Sequence, residues 1–434
     1  MKNNNFYDVT QCGFGDPWED IGTVINRIID DIKSHQDSRD LNSGGKPGAV
    51  IYIPPGDYSL RTPVLIDISY LRIVGSGHGF TSSSIRFNTS DAELKNWHEI
   101  WPGGSRVKVE LGDSYRGRAA FLVEREGSPR ISSVEFSNFC IDGLHFQQTD
   151  TDEHAENTYI NSKIGIEFST ANDSVRVTQM GFIYLEHALI INNADALSIH
   201  ENFIAECGNC IELRGWGQAS SITNNLIGAG FRGHSIFAEN HGGLLITANN
   251  IFPRGMDSVR LRNVTRSNVS SNRLHSFYPG MLILEGTCNE NLISSNHFLR
   301  DTEPWAPFVE INNGKDDGFG VIRLEGSNNT FVSNHISVLL DQKSSSTAPV
   351  IVHLTNAHGN YVASNHMVSR QTDASASDSC YAAQVDSLQS TDGSTIQHVV
   401  AVKIDPSSEQ NVILDTCKPN EAEADLSKNT FRYL

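Results

Sequence analysis

The chain has 434 residues, with 33 Lys+Arg against 51 Asp+Glu and a formal net charge of −18. Nucleic acids and polyuronates are gripped by clustered cations, so this balance argues against such partners and favours a neutral one. No stretch approaches the roughly 20 apolar residues that span a bilayer, and MKNNNFYDVT lacks the apolar run of a secretory signal. The expectation is a soluble chain with no membrane partner, cytoplasmic if Met1 is the natural start and secreted if a signal preceded it.

In chain order, the first predicted element is a helix. In PWEDIGTVINRIIDDIKSH the residues Ile21, Val24, Ile25, Ile28, Ile29 and Ile32 form one apolar stripe. Asp16-Pro17 supplies an N-cap and a first-turn proline, and Glu19 and Asp20 suit the positive end of the helix dipole. AVIYIPPGDYSL follows, with a strand over Val50 to Ile53 stopped by Pro54-Pro55-Gly56, then a second alternating stretch from Val64 to Val74. Gly75-Ser-Gly77-His-Gly79 reads as a tight turn, since no helix pattern or Lys follows to make it a phosphate loop.

From about residue 130 the chain becomes a train of short strand-like pieces in which one phrase returns: SIHENFI, SITNNLI, ITANNIF, NVSSNRL, LISSNHF, FVSNHI and YVASNHM. Its shared Asn falls at 202, 225, 250, 272, 296, 334 and 365, so four successive periods lie near 23 and two later ones carry insertions. Such a period signals a solenoid. The leucine-rich repeat is excluded because the L-x-x-L-x-L spacing and a helix-forming half are both missing, which leaves an all-β parallel β-helix. The recurring asparagines are expected to stack at a turn, bonding backbone groups left unpaired there. The N-terminal helix would then cover the open end of the β core. The predicted organisation is a single domain: a cap over 1–48, coils over 49–370 and a closing segment over 371–434.

The seven cysteines are too few and too scattered for a disulfide scaffold, and Cys207-Gly-Asn-Cys210 lacks a second CxxC or a His pair. Most are expected to be buried thiols. Sequons at Asn88, Asn172, Asn263, Asn268 and Asn328 arise easily in so Asn-rich a chain and do not establish secretion. G-x-S-x-G, H-E-x-x-H and EF-hand strings are missing, as is the Asp cluster a calcium-dependent pectate lyase would need.

A β-helix exposes long shallow faces along which a linear sugar can lie, and cutting a glycosidic bond needs paired carboxyl groups. The densest polar region, residues 184 to 257, holds Glu186, His187, Asp195, Glu201, Glu206, Glu212, Arg214, Trp216, Glu239, His241 and Arg254. Asp195 and Glu206 are 11 residues apart, about half a coil, each beside small apolar neighbours. Strand parity leaves their direction open, because a turn at Asn202 lies between them. Trp216 reads equally as a sugar platform or a core residue, and His187 and His241 as substrate contacts or structural donors.

The phrases YLEHALI (184–190), ADAL (194–197), AECGNC (205–210), AENH (238–241), NNIFPRG (249–255) and FYPGM (277–281), with DIGTVINRIIDDIKSHQDSRD, PGAVIYIPPGDY and SGHGF earlier, carry a resemblance over most of residues 6 to 300. The sequence resembles glycoside hydrolase family 91, the inulin fructotransferases and their relatives that hydrolyse difructose anhydride III. The resemblance implies a right-handed parallel β-helix assembled as a homotrimer, with the active site near the subunit boundary and the essential carboxylates on Asp195 and Glu206. It implies a neutral fructan or difructose dianhydride as substrate, no metal and no organic cofactor. Glu206 is expected to be the general acid/base and Asp195 the group that orients a hydroxyl and supports charge at the anomeric carbon. Glu186, His187, Arg214, Trp216, Glu239, His241 and Arg254 are expected to bind substrate. The expected activity is inulin fructotransferase, releasing a difructose dianhydride (DFA III or DFA I). The alternatives are a difructose anhydride III hydrolase yielding inulobiose and, in another class, a non-catalytic carbohydrate-binding β-helix.

Overall fold

The computed structural model describes residues 5–35, 48–79, 93, 103–145, 159–229, 233–252, 257–301, 317–341, 350–372, 400–415 and 427–433. Arg254, Cys380, Cys417, the Asn88 sequon and most of the predicted closing segment lie outside them. The chain forms two compact units, Met1–Thr151 with Asn157–Leu213 and Thr223–Leu226, and Asp152–Glu156 with Arg214–Ile222 and Ile227–Leu434.

Both units are built from successive coils of parallel strands. In the first unit a representative coil runs through His187–Asn192 in one long sheet (sheet C), Ala194–Asp195 in a narrow sheet (D), Ser198–His200 (sheet A) and Phe203–Cys207 (sheet B). Each strand pairs in parallel with the strand one coil away, which sets Ile166 beside Leu189, Val177 beside Ile199 and Phe182 beside Ile204. These side chains are fully buried. The second unit repeats the plan, with Val259 beside Leu282, Val269 beside Ile293 and Leu274 beside Phe298. The fold is a right-handed parallel β-helix, the hand that parallel crossovers adopt in nearly all cases. Among the described residues no helix is long and apolar enough to cross a membrane.

The turn between sheets A and B explains the repeated phrase. Glu201, Ala248, Ser271, Ser295, Ser333 and Ser364 all have left-handed backbones, with φ between 55° and 58°. The residue after each is a buried asparagine: 202, 249, 272, 296, 334 and 365. The left-handed step turns the following N–H away from its own strand, and the amide of the next coil accepts it. Thus Asn249 N–H and its Nδ2 both donate to Asn272 Oδ1, at 2.9 and 3.0 Å, while Asn272 Nδ2 donates back to the Ile246 carbonyl at 2.9 Å. The ladder residue in that coil is Asn249; Asn250, which the repeat singled out, is exposed. Two adjacent asparagines made the register ambiguous in one dimension. A second ladder that the phrase did not reveal runs through Asn291, Asn329, Asn360, Asn411 and Asn429 by the same bonds.

Asn272→Ala is expected to destabilise the fold by about 3 kcal/mol or more, because it strips partners from buried donors on Asn249 and from the Ile246 carbonyl. Asn250→Ala, one residue along the neighbouring turn, should stay within about 0.5 kcal/mol of the parent. Urea midpoints of the two variants check both the ladder and its register.

All six stripe residues of α1 (Pro17–His35) are buried, and the helix packs on the strands Gly56–Leu60 and Val64–Ile66. It is not continuous: Asp20 leaves the helical region at φ −154°, ψ 92°. Asp16 caps the opening turn through Trp18 N–H at 2.9 Å, and Asp20 caps the rest. Asp20 Oδ1 accepts from Gly22 N–H at 3.2 Å, and Oδ2 from the Thr23 hydroxyl at 2.6 Å. The same carboxylate accepts from the backbone of Arg61 and Thr62 and from the Thr62 hydroxyl, tying helix to strand. The approach is close enough that a Cβ on Gly22 would lie 1.8 Å from the Thr62 carbonyl oxygen.

Burial alone would raise the Asp20 pKa, but the hydrogen bonds from Thr23, Thr62 and the backbone of Arg61 and Thr62 outweigh it and hold the carboxyl below its ordinary 3.8. A depressed folded pKa contributes stability that is present above the unfolded value and is lost as pH falls through the folded one. Asp20→Asn should therefore lower the melting temperature at neutral pH and shrink that difference below about pH 4. A constant difference between the two melting curves from pH 7 to pH 3 would contradict this.

Candidate active site

Asp195 ends the two-residue strand Ala194–Asp195, bracketed by left-handed Asn193 and Ala196, each at φ 51°. Those two bends project the carboxylate from the narrow sheet, directly above Asp173 of the preceding coil. One arginine bridges the stack: Arg130 Nη2 donates to Asp195 Oδ2 at 2.7 Å and to Asp173 Oδ2 at 3.1 Å. The Asp195 side chain is 17% exposed, so it is held in place yet reachable. Sequence reasoning missed Arg130 because it lies 65 residues from Asp195 and only the stacking of coils joins them.

Glu206 sits near the end of Phe203–Cys207, half-buried, with a left-handed backbone at φ 52°. Its carbonyl accepts from Tyr184 N–H at 3.2 Å, which stacks residue 206 on residue 184. The chain then pairs Gly208 with Leu185 and Asn209 with Glu186, so Glu206 shares this corner with Glu186 and His187. Glu186 Oε2 accepts from the backbone N–H of Asn161 and Ser162, at 3.0 and 2.5 Å. His187 Nδ1 lies 2.5 Å from Glu212 Oε2, and Glu212 is only 2% exposed. A nitrogen that close to a carboxylate carries the proton, so Nδ1–H donates to Glu212, and the Asn209 amide at 3.3 Å from the same nitrogen is a neighbour only. His187 Nε2 is 3.8 Å from Glu186 Oε1, leaving the imidazole between two acids.

The first unit thus holds two acidic corners at opposite ends of one strand. Between Tyr184, under Glu206, and Asp195 runs His187–Asn192, six residues in sheet C, or roughly 20 Å at about 3.3 Å per residue. A half-coil separation in sequence does not bring this pair together within one chain.

In the second unit a shallow cleft of about 400 Å³ is lined by Trp216, Gln218, Asn240, His241, Asn263 and Thr265. Trp216 is 55% exposed, which decides against a core role. His241 lies at the cleft but is buried. Glu239 Oε1 accepts from Gly215 N–H at 3.0 Å, and its other oxygen is 3.7 Å from Arg262. Arg214 is half-buried at the end of Asn209–Arg214, and Arg254 lies outside the described residues. Cys140, Cys207, Cys210 and Cys288 are buried free thiols and Cys12 a half-buried one. Burial pushes the Cys207 and Cys210 thiols well up and Cys288 to about 11, which makes them poor nucleophiles.

A right-handed parallel β-helix with carboxylates displayed along its coils and an exposed tryptophan at a shallow cleft has the features of a carbohydrate-active class. A family model described as "Beta helix repeat of Inulin fructotransferase" matches residues 295–434, and one for "Periplasmic copper-binding protein (NosD)" matches residues 127–307. The chain is 44% identical over 375 residues to the DFA-I-forming inulin fructotransferase of Arthrobacter globiformis, covering 84% of this chain and 90% of that one. The crystal structure of DFA-IIIase from Arthrobacter chlorophenolicus A6 in complex with GF2 is 58% identical, with TM-score 0.86 and coverage of 99% and 98%. A single-site variant of that enzyme in complex with DFA-III is 59% identical, with TM-score 0.88 and 99% of each chain covered. The A-module of the mannuronan C-5 epimerase AlgE4 from Azotobacter vinelandii, at 11% identity and TM-score 0.52, shares the fold alone. The chain belongs to glycoside hydrolase family 91, the family of inulin fructotransferases and DFA-IIIases, enzymes that act on fructans.

Proposed function

We propose that the chain hydrolyses difructose anhydride III, adding water across one fructosidic bond of the cyclic dianhydride to give inulobiose. The observation that carries this reading is its higher identity, over nearly the whole of both chains, to DFA-IIIase than to the DFA-I-forming transferase. Formation of the anhydride from inulin is the second reading, favoured by the inulin fructotransferase relative and repeat match. Both reactions break a fructosidic bond through an oxocarbenium-like state and differ in whether water or a sugar hydroxyl attacks.

Glu206 protonates the departing oxygen and then deprotonates the acceptor. Asp195, aimed by Arg130, orients a hydroxyl and supports positive charge at the anomeric carbon. Glycosidase carboxyl pairs work at about 5–10 Å, and the two in one chain stand roughly 20 Å apart along a strand. One site therefore takes Asp195 from one protomer and Glu206 from its neighbour, which a cyclic homotrimer with head-to-tail contacts supplies. His187, fixed by Glu212, and Glu186 line the Glu206 corner and contact the sugar hydroxyls.

Trp216 is the platform for a fructosyl ring, with Arg214, Glu239 and His241 shaping its surroundings. Trp216→Ala should raise KM about tenfold with a smaller change in kcat, the mark of lost ground-state binding. An unchanged KM would take Trp216 out of the site. Incubation with difructose anhydride III and, separately, with inulin, followed by chromatography, tests the function. Inulobiose from the first substrate supports the hydrolase; a dianhydride from inulin with no inulobiose from the first moves the assignment to the transferase. No product from either leaves a binding protein.

A further inference from the structure

The shallow cleft of the second unit extends beyond the ring that Trp216 carries. Its lining comes from four successive coils, at residues 216–218, 240–242, 263 with 265, and 287. Three steps between coils at about 4.8 Å each make it roughly 14 Å long. Parallel pairing keeps the coils in register, so that Trp216, Asn240 and Asn263 follow one another in one column and Gln218, Gly242 and Thr265 in a second. No Asp, Glu, Lys or Arg is among the described lining residues. The arginines on either side in sequence are paired with acids, Arg262 with Glu285 at 2.6 Å and Arg266 with Glu290 at 2.8 Å.

The amides in the first column order one another. Asn263 Oδ1 accepts from the Thr287 N–H at 2.9 Å and from its hydroxyl at 3.1 Å, and Asn263 Nδ2 donates to Asn240 Oδ1 at 3.0 Å. A backbone N–H only donates, so it fixes the Asn263 amide and, through it, that of Asn240. Asn240 Nδ2 and the Thr265 hydroxyl bond to no other described residue. A ligand matched to this lining is uncharged, lays an apolar face on the indole and carries hydroxyls at successive coil heights. We propose that the cleft holds a linear neutral oligosaccharide, with one ring on Trp216 and the next along Asn240 and Thr265, which makes these two residues the selectors of chain length. The proposal rests on Trp216 being a sugar platform. It concerns binding and is the same for the hydrolase and for the transferase.

The test is calorimetric titration of the Glu206→Gln protein with inulobiose and with inulopentaose, with chromatography confirming that both sugars stay intact; Asp195→Asn is added should either be cleaved. The longer sugar is expected to bind about tenfold more tightly. Asn240→Asp keeps the bond from Asn263 and tolerates the left-handed backbone at φ 49° while exchanging the donor for an acceptor. Thr265→Val keeps the β-branch and removes the hydroxyl. Each should cut the preference to about threefold or less, and the exposed Asn250→Ala should leave it in place. Melting temperatures matching the parent show that the variants are folded; Asn240→Gly and Thr265→Ala replace any that are not. Equal affinity for the two sugars before these changes, or an undiminished preference in either variant, would overturn the proposal. Unchanged affinity for both sugars in Trp216→Ala would remove the platform itself, a different failure from loss of the length preference. Whether difructose anhydride III is opened does not enter the readout.

Discussion

Glu206→Gln is expected to lower kcat about 10²- to 10⁴-fold, the usual contribution of a positioned acid/base. Gln nearly matches Glu in volume and keeps its hydrogen-bonding reach, so the left-handed turn at residue 206 and its bond to Tyr184 should persist. What disappears is the proton that must reach the leaving oxygen. Asp195→Asn should cost a similar factor, since Arg130 would hold a neutral amide where the mechanism needs a carboxylate facing the anomeric carbon. Light scattering and the melting temperature should match the parent in both, so that the loss belongs to chemistry and not to assembly. Activity within a few-fold of the parent in Glu206→Gln would remove that residue from the mechanism.

Mixing the two inactive proteins should bring activity back. If a site joins Asp195 of one protomer to Glu206 of the next, a cyclic assembly formed by dissociating and reassociating equal amounts of the two variants contains intact junctions. Under random mixing about one quarter of junctions carry both native acids. Recovery to about one quarter of the parent's activity is then expected, against a background hundreds of times lower. The same proteins mixed without dissociation should stay inactive. If the reassociated sample remains at the level of its parents, the two acids do not meet across a subunit boundary, and the catalytic pair must be sought elsewhere. This outcome bears on the assembly, whereas the single variants bear on the residues.

Much of the architecture was legible in one dimension because it repeats. A coil must bury the same positions each time round, so the apolar phrase and its asparagine recur at a near-constant interval, and the helix stripe from Ile21 to Ile32 had only one face to bury. The family of fructan-acting enzymes was also visible, through the phrases between residues 184 and 281. The ladder register at Asn249 was not, because two neighbouring asparagines satisfy the same pattern and only the direction of the left-handed turn separates them. Nor was the cap at Asp20, whose partners Arg61 and Thr62 lie some 40 residues further on.

What the amino-acid order determined by itself is the coil, since periodic burial is a local property of each phrase. The tertiary structure alone decided which groups meet. Stacking joined Arg130 to Asp195 across two coils and Glu212 to His187 across one, and it placed a six-residue strand between the two acids. Those distances are set by the pitch and width of the sheet, and no spacing along the chain encodes either one.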